Sequence, residues 1–506
     1  MPNYCVKKFT LKLSIRENKR KFAVDFFRGI GFPAQTYRLV SNCSETLISI
    51  NYSMSKVIKL KRGLDIRLVG EAEKTVVQMP VGSTYAVVPD SFPRITPKLL
   101  VSEGARVKAG TPLFFDKARP QILFTSPVSG TVSAVRRGEK RRIMSVVIDA
   151  DPVVEYEKFQ APVPAKSTPE KITEVLLQSG LWPLIIQRPY GTIANPGNRP
   201  KAVFISGFDS APLAPDMNFV LKDEYDNLVA GIEALKKLTD GEVHLGLRNG
   251  ENGVLNRLTN AAQHLFEGPH PVGNVGVQIH HVSPINKGET VWTVDIQNVA
   301  VIGRLFNTGT VDMRKVIAVT GSEVTEPKYV SVIAGTSVVQ PVMAAGVKHQ
   351  RAGESFRIIC GNVLTGTKTD GDGYLDVYHN QITMIPEGDK YELLGWIAPR
   401  LDKFSVSRSY FSWLMPKKRY DLDTNLNGGR RALVVTGLYD RYLPMNIYPI
   451  YLLKACMAGD IDKMENLGIY EVLPEDFALC EFVDPSKTEM QAVIADGINL
   501  MIKELS

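Results

Sequence analysis

The chain has 506 residues, of which 44% are hydrophobic and 22% charged, enough for several domains with their own cores. Residues 1–53 hold nine Lys or Arg and three Asp or Glu, so they account for +6 of the formal net charge of +7. The remaining 51 basic and 50 acidic residues nearly balance, which excludes the broad basic surface of a nucleic-acid-binding protein. No apolar run reaches the roughly 18 residues that a membrane-spanning helix needs.

The first 53 residues differ in composition from the rest. They are basic and poor in acids, as an organellar transit peptide is, and they lack the long apolar segment of a secretory signal. We expect instead that the working protein begins at Met54, in MSKVIKLKRGLDI, and that residues 1–53 are a leader outside the working protein.

The five cysteines are Cys5, Cys43, Cys360, Cys456 and Cys480, and none forms a C-x-x-C pair. The three outside the leader are far apart and odd in number, which indicates reduced thiols in a cytosolic compartment. A protein-bound iron–sulfur cluster needs about four thiolates. We therefore expect no cluster held by this chain alone.

Residues 54–150 contain short β-rich runs separated by Gly and Pro, which predict a small barrel or sandwich. Within them, VKAGTPLFFDKARPQILFTSPVSGTV at 107–132 is similar to the core of lipoyl and biotin carrier domains, with Lys117 at the position of the modified lysine. The nine residues from Lys117 to Ser126 exceed the carrier spacing. We therefore expect a longer loop containing Pro120 instead of a tight hairpin tip, and a lysine that carries no prosthetic group. A carrier function through Lys117 remains the alternative.

Residues 151–310 alternate helical and strand patterns, which predict a Rossmann-like α/β domain with a partly parallel sheet. After a polar linker at 151–169, TPEKITEVLLQSG has the N-cap Thr168 and the stop Gly180 of a helix. A second helix is predicted in DEYDNLVAGIEALKKL, where one face collects Leu228, Val229, Ile232, Leu235 and Leu238.

The predicted strand at 202–206 leads into SGFDSAPLAPD, which has a single glycine and two prolines. No G-x-G-x-x-G or G-x-x-x-x-G-K-S/T follows any predicted strand. A phosphate cradle for a nicotinamide or flavin cofactor is therefore not expected. A free-standing flavin- or NAD-dependent oxidoreductase remains a second alternative.

Residues 311–425 are β-rich again, with strand patterns in RKVIAVTGSEV, SFRIICGNVLTGT and NQITMIP. KTDGDGYLD at 368–376 imitates a calcium loop, but Tyr374 and Leu375 stand where that loop needs a ligand and a glycine, so we expect an ordinary turn. Residues 426–506 are predicted to be helical.

GPHPVGNVGVQIHHVSP at 268–284 gathers three of the seven histidines, and their spacing fits no zinc pattern. His280 and His281 are expected on a strand, where they would point to opposite faces. The histidines would then be satisfied within a turning loop, or form a contact surface for a ligand or a partner, or bind a metal. Because Gly- and Pro-rich loops allow close approach of a backbone, we take Gly268, His270 and His280 as the candidate functional surface. No catalytic centre or metal site is expected elsewhere, since neither G-x-S-x-G nor H-E-x-x-H occurs.

Several segments between residues 54 and 506 match one family in order and without a gap. They are IKLKRGLDIRLVG, LFFDKARP, LQSGLWPLIIQRPYG, FEGPHPVGNVGVQIHHVSP, VIGRLFNTG, YHNQITMIPEG, GWIAPRLDKFS, NGGRRALVVTGLYDRYLPMNIYPIYLLKACMAGD and LPEDFALCEFVDPSK. In this combination the chain resembles the A subunits of bacterial sodium-translocating NADH:quinone oxidoreductases. That family keeps the same length in the loop around Lys117, and it usually has a second cysteine near Asp484, which this chain lacks.

The resemblance implies a peripheral subunit on the cytoplasmic face of the bacterial inner membrane, in a complex with five other subunits. The complex would couple NADH oxidation and ubiquinone or menaquinone reduction to sodium export. FAD, FMN, riboflavin and the iron–sulfur centre would belong to other subunits, and this chain would bind no cofactor. It would dock on the membrane subunit that handles quinone and contribute to that quinone site.

The implied fold is a multidomain α/β and α+β arrangement. It consists of a lipoyl/biotinyl-like β barrel at 54–150, a Rossmann-like domain at 151–310, an SLBB-like β-grasp domain at 311–425 and a helical domain at 426–506.

Overall fold

The computed structural model of the chain describes residues 57–348, 355–388, 395, 400–434 and 436–505. The predicted leader, residues 1–53, and the proposed start at Met54 lie outside these ranges.

The strands of the described residues follow in chain order. They are β1 (Ile58–Lys59), β2 (Glu73–Gln78), β3 (Thr84–Val87), β4 (Pro97–Leu99), β5 (Arg106–Val107), β6 (Pro112–Asp116), β7 (Arg119–Thr125), β8 (Gly130–Arg137), β9 (Ile143–Ala150), β10 (Ile186–Arg188), β11 (Thr192–Ile193), β12 (Val203–Ser206), β13 (Val243–Arg248), β14 (Ala262–Glu267), β15 (Val291–Thr293), β16 (Arg314–Thr320), β17 (Lys328–Ile333), β18 (Phe356–Cys360), β19 (Thr367–Thr369) and β20 (Gln381–Pro386).

The α-helices of the same residues follow in chain order. They are α1 (Pro169–Gln178), α2 (Met217–Val220), α3 (Tyr225–Lys237), α4 (Val275–Val282), α5 (Ile296–Thr308), α6 (Val339–Ala345), α7 (Pro449–Ala458), α8 (Ile461–Asn466), α9 (Ala478–Val483) and α10 (Met490–Leu505).

The first β module consists of two small sheets, with strand orders β3-β9-β8-β5 and β4-β6-β7. Neighbouring strands within each sheet are antiparallel. Phe114 of β6 and Phe124 of β7 are fully buried and stack at 4.8 Å between ring centroids. Burial of such side chains stabilises the module by about 1.5–3 kcal/mol each, so small strands suffice to hold it.

The prediction of a longer loop around Lys117 is wrong. β6 and β7 pair as far as Asp116 and Arg119, so Lys117 and Ala118 are the two residues of a tight hairpin turn, and Pro120 lies within β7. The spacing between Lys117 and Ser126 suggested a long loop, but it did not show how far the two strands pair before the turn.

The hairpin turn is nevertheless docked against the rest of the chain. The buried Asp116 carboxylate accepts hydrogen bonds from the backbone of Thr96 and Ala118. Arg119 donates to Asp116 and, at 2.8 Å, to the carbonyl of Ile193 in the α/β region. These contacts fix the turn in place, although the Lys117 side chain itself is exposed.

The α/β region is built on a sheet of order β1-β14-β13-β12-β15-β10-β11. In this sheet, β1, β14, β13, β12 and β15 are parallel to one another, and β10 and β11 form an antiparallel edge. β13 lies on one side of β12 and β15 on the other, so the strand order reverses at β12. We call the carboxyl ends of β12 and β15 the switch point, which is where open α/β sheets bind their ligands.

The predicted helices of this region are confirmed. Thr168 caps α1 by accepting a hydrogen bond from the Lys171 backbone. Helix α3 buries Leu228, Ile232 and Leu235 as its periodicity predicts, together with Leu238 just after it, while Val229 is partly exposed.

The β-rich region forms a mixed sheet of order β19-β18-β20-β16-β17-β2. Its core includes Val319, Val330 and Ile382, and α6 packs against β16 and β17. In KTDGDGYLD, Gly373 N–H donates to the Asp370 carbonyl at 3.0 Å, which is a turn as expected.

The first described residues join two sheets outside the β module. β1 pairs with β14 in the α/β sheet, and β2 pairs with β17 in the β-rich sheet. Residues 57–78 therefore do not pair within the module at 54–150 to which the sequence assigned them, because strand pairing depends on contacts that are distant in the chain.

The helical prediction for 426–506 is confirmed from Pro449 onward, where α7 to α10 share a core that includes Leu453, Met464 and Ile494. It is wrong for the described residues between 426 and 448, which contain no α-helix. Asp484 is buried and accepts a hydrogen bond from the Tyr439 hydroxyl at 2.8 Å and another from the Thr488 backbone. Here the carboxylate organises the turn between α9 and α10.

Cys360, Cys456 and Cys480 are buried free thiols. Burial raises the pKa of Cys360 to about 12 and that of Cys456 to about 11, so both stay protonated at neutral pH. None of the helices in the described part of the chain has the length and hydropathy needed to span a bilayer.

Candidate functional site

The Gly- and Pro-rich loop at 268–274 lies across the carboxyl edge of the α/β sheet. It follows β14 and leads into α4, and it contacts the loop that follows β12. The Ser210 hydroxyl accepts a hydrogen bond from the Gly273 backbone at 2.8 Å and lies 3.0 Å from His270 Nδ1. The Ser206 hydroxyl donates to the Gly273 carbonyl at 2.9 Å. The loop is thus fixed at the switch point.

Gly268 allows the loop to approach the start of the described chain. Its φ of +154° is accessible mainly to glycine, and a Cβ there would lie 2.6 Å from the Leu60 carbonyl oxygen. The close approach expected of this glycine is therefore made to the chain's own backbone.

His270, which lies within this loop, is buried. Its backbone N–H donates to Asp65 at 2.9 Å, and its carbonyl accepts from Leu64 at 2.8 Å. Burial lowers the pKa of His270 to about 4, so the ring is neutral at physiological pH.

The expectation that His280 and His281 lie on a strand is wrong, because both lie in the last turn of α4. The run Val275–Val282 is apolar and contains β-branched residues, as a buried strand does. The local pattern does not distinguish a strand from a helix here, because the difference depends on packing against the sheet.

His280 connects α4 to the C-terminal helical region. His280 Nδ1 lies 2.6 Å from Glu471 Oε2, and its Nε2 accepts a hydrogen bond from the Asn446 backbone at 2.9 Å. Because Nε2 accepts, Nδ1 carries the proton that binds Glu471. His281 Nε2 binds the Pro444 carbonyl at 2.9 Å.

The structure does not bring His270 and His280 to a shared partner. His270 contacts Asp65 and Ser210, whereas His280 contacts Glu471 and Asn446. A surface for a ligand or a partner at Gly268, His270 and His280 stays a prediction.

At the carboxyl end of β15, a carboxylate of the chain itself occupies the place where a bound anion would lie. Asp295 follows β15 and caps α5 by accepting from the backbone of Gln297 and Asn298. The N-terminus of a helix is the usual binding site for a cofactor phosphate. Here two of its N–H groups, those of Gln297 and Asn298, already bind Asp295, and Asn380 of the β-rich region donates to the same carboxylate at 2.7 Å.

A buried ion pair joins the helical region to the other edge of the sheet. Arg188 Nη1 lies 3.1 Å from Asp476 Oδ2, with both side chains buried, and Arg188 Nη2 also binds Glu475. Gly276 of α4 provides the space, because a Cβ there would lie 2.5 Å from Arg188 Nη1. Sequence reasoning missed this pair. The one available signal was an arginine two residues after the apolar run WPLII.

An apolar cavity lies where the β module, the α/β region and the β-rich region meet. It is an open cleft, and its empty space, counted together with the solvent at its mouth, is about 590 Å³. Its walls are mainly apolar, with Asp376 as an acidic group; they include Val87, Phe92, Phe124, Pro127, Leu184, Met313 and Leu375. Such walls suit a small uncharged molecule.

We expect the stability of the chain to depend on His270 between pH 6.5 and pH 4. The unfolded chain takes up a proton near pH 6.5, whereas the folded chain resists it until about pH 4, so stability falls as the pH is lowered through this window. In H270Q, the loss of stability that comes from protonation of His270 is absent. Thermal unfolding midpoints measured across the window should decrease less in H270Q than in the unsubstituted chain, and equal decreases would contradict the assignment.

We expect R188M to destabilise the chain strongly. It leaves the buried Asp476 carboxylate without its cation, which costs about 3–5 kcal/mol in buried pairs. The matched control is R199M, because Arg199 pairs with an exposed Asp240 and such pairs contribute about 0–1 kcal/mol. Denaturant unfolding compares the two variants. If R188M loses no more stability than R199M, the ion pair does not hold the helical region.

Comparison with known proteins gives matches along most of the chain. Residues 58–151 match the family model of the NqrA N-terminal barrel-sandwich hybrid domain, residues 167–311 that of the NqrA second alpha/beta domain, and residues 316–371 that of the NqrA C-terminal domain.

Curated relatives align over 451 residues, which is 88% of this chain and 100% of each relative. The A subunit of the Na(+)-translocating NADH-quinone reductase is 37% identical in Neisseria meningitidis serogroup A, 36% in Neisseria gonorrhoeae and 37% in Yersinia pestis biovar Antiqua. Among solved structures, the NAD+-reducing NiFe hydrogenase in its H2-reduced state is 12% identical with a TM-score of 0.34, over 68% of this chain and 63% of that chain.

Proposed function

The chain belongs to the NqrA family, the A subunits of Na+-translocating NADH-quinone reductases, and from this premise we propose how it serves that complex. The observation that carries the proposal is the alignment with NqrA relatives over their full length at 36–37% identity. We propose that the chain is a peripheral subunit, positioned at the cytoplasmic face of the bacterial inner membrane.

Its contribution is structural, and NADH, FAD, FMN, riboflavin and the iron–sulfur centre are bound by the other subunits. The Asp295 carboxylate at the switch point supports the assignment of the cofactors to other subunits. A dinucleotide phosphate at α5 would have to displace Asp295 from two backbone N–H groups, and the Asn380 contact with it.

The docking surface is the outer face of α7. The inner face of this helix is buried through Leu452, Leu453 and Cys456. The outer face exposes Tyr448, Tyr451 and Met457, which are 67%, 54% and 59% accessible; Tyr448 immediately precedes the helix. Lys454 is also exposed on this face, so the outer face presents large apolar side chains beside one cation.

The partner is another member of the complex, and aromatic residues and Met are enriched at the centres of such interfaces. The Tyr448 and Tyr451 rings lie 6.2 Å apart in an edge-to-face arrangement, which gives a partner one broad aromatic surface. Among the five other subunits, we propose the membrane subunit that handles quinone.

A contribution to the quinone site is the finer part of the proposal. The contact surface proposed from the sequence is Gly268, His270 and His280. The apolar cavity offers walls suited to an uncharged ring.

The finer domain assignment is also a proposal: a lipoyl/biotinyl-like barrel, a Rossmann-like domain, an SLBB-like β-grasp domain and a helical domain. The reversal of strand order at β12 supports the second domain. The packing of α6 on a mixed sheet supports the third.

We expect the double variant Y451E/M457E to lose its place in the complex while it stays folded. Both side chains are exposed, so the thermal midpoint should not change, whereas two buried charges should weaken an interface at least about tenfold. Recovery of the other subunits from detergent-solubilised membranes, with the tagged chain as bait, measures this. The matched control is V153E/V163E, which places the same charges on exposed valines elsewhere. Full recovery with Y451E/M457E would refute docking through α7.

We expect the purified chain to show no flavin absorption, no NADH turnover and an unmodified mass for the peptide that contains Lys117. A stoichiometric flavin would favour the oxidoreductase alternative. A mass increase on Lys117 would favour the carrier alternative, for which the tight hairpin turn is the structural argument.

A further inference from the structure

Residues 411–414 present apolar side chains to solvent on a short helical turn. Tyr410 and Ser412 point inward and are buried, whereas Phe411, Trp413 and Leu414 are 42%, 52% and 58% accessible. We call Phe411, Trp413 and Leu414 the aromatic tip. Large exposed apolar groups in contiguous positions are typical of an interaction site.

The aromatic tip stands on a hydrogen-bonded base. The Ser412 hydroxyl accepts from the Ser405 backbone at 3.2 Å and donates to the Ser405 carbonyl at 3.1 Å. The Tyr410 backbone donates to the Ser405 hydroxyl at 2.9 Å. This base is tied to the body of the protein, because Arg67 donates to the Pro416 carbonyl and Tyr420 forms a bridge with Leu68. The exposure of the tip is therefore fixed by the fold.

The sequence that flanks the aromatic tip is basic, although Arg400 pairs with Asp402 and Arg419 with Glu71. Residues 400–419 contain six Lys or Arg and one acid, Asp402. The basic residues are Arg400, Lys403, Arg408, Lys417, Lys418 and Arg419. The Arg408 guanidinium lies 5.6 Å from the centre of the Trp413 ring, so charge and aromatic surface are presented side by side.

We propose that the aromatic tip inserts into the surface of a lipid bilayer that carries anionic headgroups. Trp and Leu favour the boundary between headgroups and acyl chains, and Lys and Arg near it attract anionic lipids. The same composition fits a protein partner less well, because the centres of protein interfaces are depleted in Lys. This inference goes beyond docking on another protein through α7, because it concerns direct contact with lipid. It can be tested on vesicles of pure lipid, which contain no other subunit.

The test uses the full chain and lipid vesicles. Vesicles of phosphatidylcholine with phosphatidylglycerol should bind the chain, vesicles of phosphatidylcholine alone should bind it much less, and added salt should weaken the binding. W413A/L414S should weaken binding to the anionic vesicles at least about tenfold, and R408E/K417E roughly fivefold for each charge removed.

Matched control variants change similar groups elsewhere. M343S replaces an apolar side chain that is exposed in the β-rich region, and R137E/K140E replaces exposed cations in the β module. Both controls should bind anionic vesicles as the unsubstituted chain does. All variants retain the basic residues 1–53, so any vesicle binding by that segment is the same in each.

A second measurement reports insertion directly. Lipids with brominated acyl chains should quench part of the tryptophan fluorescence on binding, and W413F should remove that part, because Trp182 and Trp292 are buried in the protein. Both chains in this comparison carry W396F, so that the two buried tryptophans and Trp413 are the tryptophans that remain in the reference chain. Vesicle binding that is unchanged in W413A/L414S and in R408E/K417E would overturn the proposal. So would quenching that survives in W413F, or tip variants that lose the other subunits in detergent while binding vesicles normally.

Discussion

The buried pair of Arg188 and Asp476 holds the C-terminal helical region against the α/β sheet, and the sites on both sides depend on it. It is made across 288 positions of the chain, within a space that exists because Gly276 has no side chain. His280 adds a second connection between the same two regions through Glu471. The docking that we propose through the outer face of α7 relies on this anchoring of its region.

The switch point combines the architecture of a ligand site with a carboxylate that belongs to the chain itself. The parallel strands and the helix N-terminus are present, and two of the backbone N–H groups of that helix bind Asp295. Asn380 then attaches the β-rich region to that carboxylate. The same backbone donors that recognise a cofactor in other α/β proteins thus fix the relative positions of two domains.

Local features could be predicted from the sequence, and distant ones could not. The cap at Thr168 and the apolar face of α3 depend on residues within one or two turns of a helix. The hairpin at Lys117 and the helical state of His280 depend on pairing and packing that the local pattern does not determine. Arg188 and Asp476 were missed because neither residue is informative without the other.

The pairing of β2 with β17 has a consequence for biosynthesis. The strand at Glu73–Gln78 leaves the ribosome long before its neighbour at Lys328–Ile333 exists, and β1 likewise precedes β14. At about 5–20 residues per second, the nascent β2 waits roughly 10–50 s with an open edge. During that interval, its backbone edge is open to pairing with other chains, a route to aggregation that the synthesis of β17 closes on one side.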